Sequence, residues 1–349
     1  QCSFLSKVSF PACTSMGGYV FYGCTSLVNA YLPMIENLPN YTFNNASRLV
    51  SVTLSPSCYS IGYCAFNSCA SLKSISLSQC KTISDAAFSN CKRLSTISFP
   101  AVELIGSYAF SNCSKLESAI FPECSIVYSS AFYSCTALSS ISFPLCENIG
   151  IGVFRSCTSL PYASFPVCTS IGSNAFYGCS ALASVSFPEA LSVGSLAFCN
   201  CYSLKTINMS KCLTIYPQAF TNCSELETVS FATAYSIGSS CFQGCTSLNT
   251  VILGQSLTSQ ASVYLYAFRS CYHLLSLYLL ASDKRVTLNT PFGSTPISDY
   301  TASTGGVYGS IFVHSLMYND YIGFYASMSC RFVSLTDAEI QNVITYGTH

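Results

Sequence analysis

The chain of 349 residues contains no tryptophan, three histidines and few charges, with Asp, Glu, Lys and Arg together at 8%. An ordinary soluble domain carries about 25%. Its 14 basic residues equal its 14 acidic ones. That balance excludes nucleic acid as a whole-chain electrostatic partner, since duplex binding needs several Lys or Arg facing phosphates. Any apolar run long enough for a bilayer-spanning helix is also lacking. The mean hydropathy of +0.43 therefore comes from apolar residues spread periodically, and no membrane insertion is expected. With 50% of residues hydrophobic, the chain is not disordered by composition.

The familiar motifs of catalysis are missing as well. There is no Gly-x-Ser-x-Gly elbow, no Gly-Lys-Ser/Thr phosphate loop and no His-Glu-x-x-His. His273 falls in a repeat turn, His314 in the tail and His349 at the end, each read as a surface imidazole or loop hydrogen-bonder rather than a general base. Glu103, Glu123, Glu147 and Glu189 recur in the loop after the strand, the pattern of a solvated edge rather than of paired carboxylates. Cys199-x-Cys201 and Cys241-x-x-x-Cys245 have the spacing of zinc half-sites, but no histidine lies near either, and structural zinc needs four convergent ligands. The chain is read as non-enzymatic, with no cofactor and no metal.

What is abundant is cysteine (23), tyrosine (24) and phenylalanine (24), and these recur in register. Phe-x-x-Cys-x-x-Leu begins at Phe21, Phe66, Phe88, Phe110, Phe132, Phe154, Phe176, Phe198, Phe220, Phe242 and Phe268, and Phe43-Ala46-Leu49 is the same motif with Ala for Cys. The spacing is 22 residues, apart from one step of 23 and a last step of 26. One unit reads Leu138-x-x-Ile141-x-Phe143-Pro144-x-Cys146-x-x-Ile149-Gly150-x-x-Phe154-x-x-Cys157. Its Leu-x-x-Ile-x-Phe alternates with period two, a strand with one buried face. The proline lacks an N–H and ends the ladder, and the glycine after Ile is expected to supply a tight corner or a positive φ. One such unit cannot close a core, whereas stacked units bury a continuous one.

Leu-x-x-Ile-x-Phe-x-x-Cys resembles the leucine-rich repeat framework Leu-x-x-Leu-x-Leu-x-x-Asn/Cys. With Ile-Gly-x-x-Ala-Phe-x-x-Cys-x-x-Leu added, it is similar to the BspA-like leucine-rich repeats of bacterial and protist surface proteins. The resemblance covers about 1–280 and implies a β-rich right-handed solenoid (α/β leucine-rich repeat type) of about twelve 22-residue coils with one parallel sheet. It also implies a cell-surface or extracellular address, with a signal peptide expected upstream. Residues 281–349 break the period, gain Asp283-Lys284-Arg285 and contain Gly305-Gly306. They are expected to form a C-terminal cap over the last coil's core and edge, with a short capped helix at Thr336-Asp337-Ala338-Glu339-Ile340. The stretches Thr290-Pro291-Phe292-Gly293 and Ser310-Ile311-Phe312-Val313 resemble the segment that closes such bacterial arrays, without its usual Pro and Trp. Gln1-Cys2-Ser3-Phe4-Leu5 aligns inside a repeat, so an Ala-Phe half is expected upstream.

Eleven cysteines occupy the position three after the turn Phe, Cys2 aligns with the same position, and seven more take the Asn/Cys position of the framework. Cys64, Cys199, Cys241 and Cys330 fall outside both ladders. Neighbouring rungs of a parallel ladder lie ~4.8 Å apart with side chains pointing the same way, a poor geometry for a disulfide bridge. The ladders are therefore read as buried free thiols, which suggests an anaerobic host or burial deep enough to protect them.

The residue between Ile and Phe of each strand should face out of the sheet. Most of these positions, and those two residues before them, are Ser or Thr. Ser98, Ser142, Ser164, Ser186 and Asn208 belong to this polar face, and Tyr31, Ile120, Tyr162, Ile252 and Tyr278 interrupt it. The Ser/Thr columns either keep a sheet soluble or meet a partner, and in the second case the interruptions are the expected anchors. A Tyr cluster in the tail (Tyr300, Tyr308, Tyr318, Tyr321, Tyr325) is either a platform or half-buried packing with hydroxyls in water. The leading expectation is a monomeric surface protein that binds a host or neighbouring-cell protein or the extracellular matrix. A rigid spacer for another module is the alternative.

Overall fold

The computed structural model describes residues 2, 4–254, 262–281, 286–289, 291–293, 295, 297, 309–325 and 330–346. Asp283-Lys284-Arg285, Thr290, Tyr300, Gly305-Gly306, Tyr308 and His349 lie outside the described residues. The chain forms two compact units, Gln1–Leu182 and Ala183–His349, each a stack of parallel β-coils with few helices.

In the first unit each coil from the second onward contributes two short strands, and the first contributes only Lys7–Ser9. A three-residue strand carries the Ser/Thr face, as in Lys7–Ser9, Asn29–Tyr31 and Ser51–Thr53, paired in parallel at a repeat's offset (Lys7 with Asn29, Asn29 with Ser51). A two-residue strand follows at the Ile position and forms an unbroken ladder from Asn37–Leu38 to Ser170–Ile171. The second unit repeats the plan: its first face strand is Ser184–Ser186, and Thr206–Asn208, Thr228–Phe231, Thr250–Leu253 and Ser276–Leu279 pair in parallel after it.

The Phe turn makes a third wall without strands. Cys64, Phe66 and Ser68 donate their N–H groups to Asp85, Ala87 and Ser89 of the next coil, at 3.0, 2.7 and 2.8 Å. The residues two before and two after the turn Phe take positive φ, for example Tyr108 (57°) and Asn112 (59°). Asn tolerates this left-handed region, while a tyrosine there costs roughly 1–2 kcal/mol. The inter-coil bond that the strained N–H makes offsets that cost, and the turn holds its shape through the stack.

The core is a column of phenylalanines. The fully buried Phe132 ring stacks between Phe110 and Phe154, with centroids 5.2 and 5.5 Å away, and meets Phe121 and Phe143 of the strand ends at 6.1 and 5.8 Å. Beside it runs the thiol ladder. Cys69 Sγ donates to the Phe43 carbonyl at 3.1 Å, and Cys91, Cys113 and Cys135 repeat the contact one rung on. The Phe43 carbonyl already accepts the Ala46 N–H, so the thiol takes its second lone pair. A methyl group would fill this space but leave that lone pair bare. The second ladder bonds locally, with Cys146 Sγ 3.2 Å from the Asn148 carbonyl. All 23 cysteines are free thiols, and the off-ladder Cys64, Cys199 and Cys241 are buried too.

Of the two roles expected for the repeat glycine, a tight corner or a positive φ, the second is not taken. Gly62, Gly106, Gly150, Gly172 and Gly238 do not carry positive φ. They let coils approach closely, because a Cβ on Gly106 would stand 2.5 Å from the Asp85 backbone nitrogen and one on Gly238 2.5 Å from that of Pro217.

The tail adds strands to the stack. Thr287–Leu288 joins the two-residue ladder, and Phe268 and Ser270 donate to Pro291 and Gly293 as in any earlier turn. Ser310–His314 and then Phe332–Leu335 extend the face sheet in parallel. Between them lies α1 (Tyr318–Phe324), and after them α2 (Asp337–Tyr346). The helix expected at Thr336–Ile340 is thus longer, and it opens with a capping box. Glu339 Oε2 accepts the Thr336 N–H at 2.7 Å, and Thr336 Oγ1 accepts the Glu339 N–H at 3.4 Å. Tyr321 and Tyr325 are buried, and their hydroxyls accept the N–H groups of Val286 and Leu288 at 2.7 Å instead of facing water. His314 is no surface imidazole. It is buried, accepts the Leu316 N–H at Nδ1 (3.1 Å) and reaches Asp337 Oδ1 with Nε2 (2.8 Å), tying α2 to the sheet.

Candidate binding face

In the first unit the face strands keep their middle residue inward and their flanking residues outward, as alternation requires. Tyr31, Ile120 and Tyr162 are 45%, 55% and 50% exposed. Ser98 beside them is exposed, and Ser142 and Ser164 are half-buried. An open cleft lined by Lys7, Ser9, Asn29, Tyr31, Ser51 and Thr53 occupies the start of this face, where Ser51 Oγ donates to Asn29 Oδ1 at 2.7 Å. A second lies against Thr53, Leu54, Pro56, Ser76, Leu77 and Ser78, where the face strands Ser51–Thr53 and Ser74–Ser76 belong to separate hydrogen-bonded sheets.

In the second unit Ser186 is half-buried and Asn208 exposed, but the expectation fails for the two remaining anchors. Ile252 and Tyr278 point outward and are nevertheless 5% and 3% exposed. They form a cluster with Leu280, Leu335, Ile340 and Val343, and Phe312 packs against it with its ring 4.6 Å from that of Tyr278. Helix α2 lays Ile340 and Val343 on the face and covers it. Sequence reasoning stopped this helix at Ile340 and missed Val343. The i, i+3 spacing of that pair after a capping box was the available signal.

The acidic residues of the post-strand loops are solvated or paired across coils. Lys81 bonds Glu103 at 2.6 Å and Lys211 bonds Glu189 at 2.6 Å, both between largely exposed partners. His273 Nδ1 lies 2.6 Å from the Thr246 carbonyl in an exposed turn. Among the described residues no three His, Cys, Asp or Glu side chains converge as metal ligands do, and no helix is long and apolar enough to cross a membrane.

Parallel coils with a Leu/Ile/Phe core and a Cys at the framework's polar position define a leucine-rich repeat solenoid. The model of the BspA type leucine rich repeat region matches residues 1–117, 76–167 and 147–275, and the chain belongs to that family. A leucine-rich repeat protein from Bacteroides ovatus shares the fold, with 22% identity and a TM-score of 0.54 over 81% of this chain and 92% of that one. A leucine rich cell surface protein from Faecalibacterium prausnitzii aligns at 21% identity and a TM-score of 0.40, covering 73% and 88%. The pneumococcal vaccine antigen PcpA aligns at 16% and 0.49, covering 95% and 89%. No curated protein sequence matches the chain.

Proposed function

We propose that this chain is a non-enzymatic surface scaffold that binds a host or neighbouring-cell protein through the outward sheet face of its first unit. One observation carries the reading. In the second unit the same column of positions is occupied by Ile252, Tyr278 and Phe312, and an amphipathic helix of the chain itself docks there. The column of the first unit presents Tyr31 and Ile120 on the same kind of strand, exposed. Large side chains spaced along a hydroxyl-rich face whose charge is nearly absent beyond Lys7 supply anchors surrounded by groups that lose little on desolvation. The surface address rests on family membership and on the Faecalibacterium relative being described as a cell surface protein.

The test is a binding screen against extracellular-matrix and epithelial surface proteins. A control variant carries Ser98→Glu, Ser142→Glu and Ser164→Glu, all on the face strands of the first unit. Saturable binding by the native chain that the control loses supports the face. Binding kept by the control moves the site elsewhere. No binding by the folded chain favours the spacer role, which the near-uniform Ser columns also fit.

A further inference from the structure

Charge in the first unit is sorted by position. From Phe21 to Leu182, the segments from each turn Phe to its Leu hold Arg48, Lys92, Arg93, Lys115 and Arg155, and no Asp or Glu. The acidic residues lie on other parts of the coil, and Glu117, just past Leu116, comes nearest in sequence.

These turns stack in register. Thr136 Oγ1 reaches the Ser114 carbonyl at 3.4 Å and Thr158 Oγ1 that of Thr136 at 3.5 Å. The same register puts Arg93 and Lys115, both exposed, on adjacent rungs about 5 Å apart. Like charges that close repel, and among the described residues neither has an ion-pair partner. Two rungs beyond Lys115, the Arg155 guanidinium lies 4.8 Å from the Tyr177 ring centre and 5.9 Å from that of Tyr133. Its faces are screened by aromatic rings, its edge donors are left over, and no carboxylate among the described residues pairs with it. From Arg48 to Arg155 these turns cross five coil steps, roughly 24 Å at ~4.8 Å each, with Arg48, Arg93 and Lys115 five residues after their turn Phe and Arg155 one after. Ser and Asn side chains fill the surrounding positions, with Asn112 bonded to Asn90 at 3.2 Å.

We propose that this edge binds a linear acidic polysaccharide, with Arg155 and the Arg93–Lys115 pair gripping its carboxylate or sulfate groups. A row of cations without counter-charges suits a repeating anion. The hydroxyl and amide surroundings suit sugar hydroxyls better than the apolar side chains of a peptide. The chain's zero net charge means that such binding would be local to the edge. The inference is independent of the sheet-face reading, because the two surfaces share no residue.

The experiment measures binding of the full chain to heparin, to polygalacturonate and to neutral dextran at near-physiological salt. Variants are Arg155→Gln, the pair Arg93→Gln/Lys115→Gln, and Lys7→Gln/Lys205→Gln, which removes two charges elsewhere; circular dichroism checks that each is folded. The expected result is binding to at least one acidic polymer and not to dextran. Affinity should fall about tenfold or more in the first two variants and stay unchanged in the third, and Glu117→Gln should strengthen binding. Heparin or polygalacturonate alone would identify sulfate or carboxylate as the group held. The proposal is overturned by absence of binding to both acidic polymers, by equal loss in the Lys7/Lys205 variant, or by equal affinity for a single-stranded RNA homopolymer.

Discussion

Raising the pH should unfold this protein abruptly, because its core is lined with thiols that cannot ionise in place. Burial pushes the thiols of Cys135, Cys179 and Cys271 up to about 12, and those of Cys69, Cys91, Cys113, Cys157 and Cys245 well above the ordinary cysteine value. In the unfolded chain the same groups ionise near ~8.5. A raised folded-state value means that the stabilisation is fully present below ~8.5 and is lost as pH climbs toward the folded values. At about pH 10 each thiol favours the unfolded state by roughly 2 kcal/mol, so these eight alone shift the balance by about 16 kcal/mol. That matches or exceeds the whole stability of an ordinary domain, about 5–15 kcal/mol. Far-ultraviolet circular dichroism and thiolate absorbance, corrected for tyrosinate, should therefore change together between about pH 9 and 10.5. Thiolate appearing near ~8.5 with the dichroism intact would refute the reasoning, because the thiols would then be reaching water. A fully folded chain without thiolate above about pH 11 would refute it equally.

Other parts of the fold make separate predictions. Phe132→Ala removes a ring packed among four others and should cost ~3–5 kcal/mol in urea unfolding, whereas Tyr128→Ala, on a 49% exposed side chain, should cost less than ~0.5 kcal/mol. Gly238→Ala forces the coil away from Pro217 and should cost ~1–3 kcal/mol, while Gly17→Ala, with nothing within 4 Å of its Cβ, should be nearly neutral. Val343→Asp should lift α2 from Ile252 and Tyr278, read as increased binding of a hydrophobic dye with the solenoid's dichroism largely kept.

The repeat could be read from the sequence because its signals are periodic. A Phe, Cys and Leu that return every 22 residues must face the same core in every coil. Two kinds of information were not periodic. The role of the glycine depends on the distance between coils, which a single unit does not encode, so the sequence left a tight corner and a positive φ as alternatives, and Gly106 does not take the second. The burial of Ile252 and Tyr278 depends on α2, which lies some 60 residues beyond Tyr278 in sequence and covers outward positions by tertiary packing. Tyr31 and Ile120 carry the same local pattern without such a helix over them, so no local reading separates the two cases.

The most direct test of the functional account is hydrogen exchange on the chain, alone and with each surface protein of the binding panel at saturation. The account predicts slowed exchange in Asn29–Tyr31, Ser118–Ile120 and Tyr162–Ser164 with at least one partner, and none in the thiol-lined turns. Unchanged exchange in these strands with every partner, or slowing confined to other walls of the coil, would contradict it.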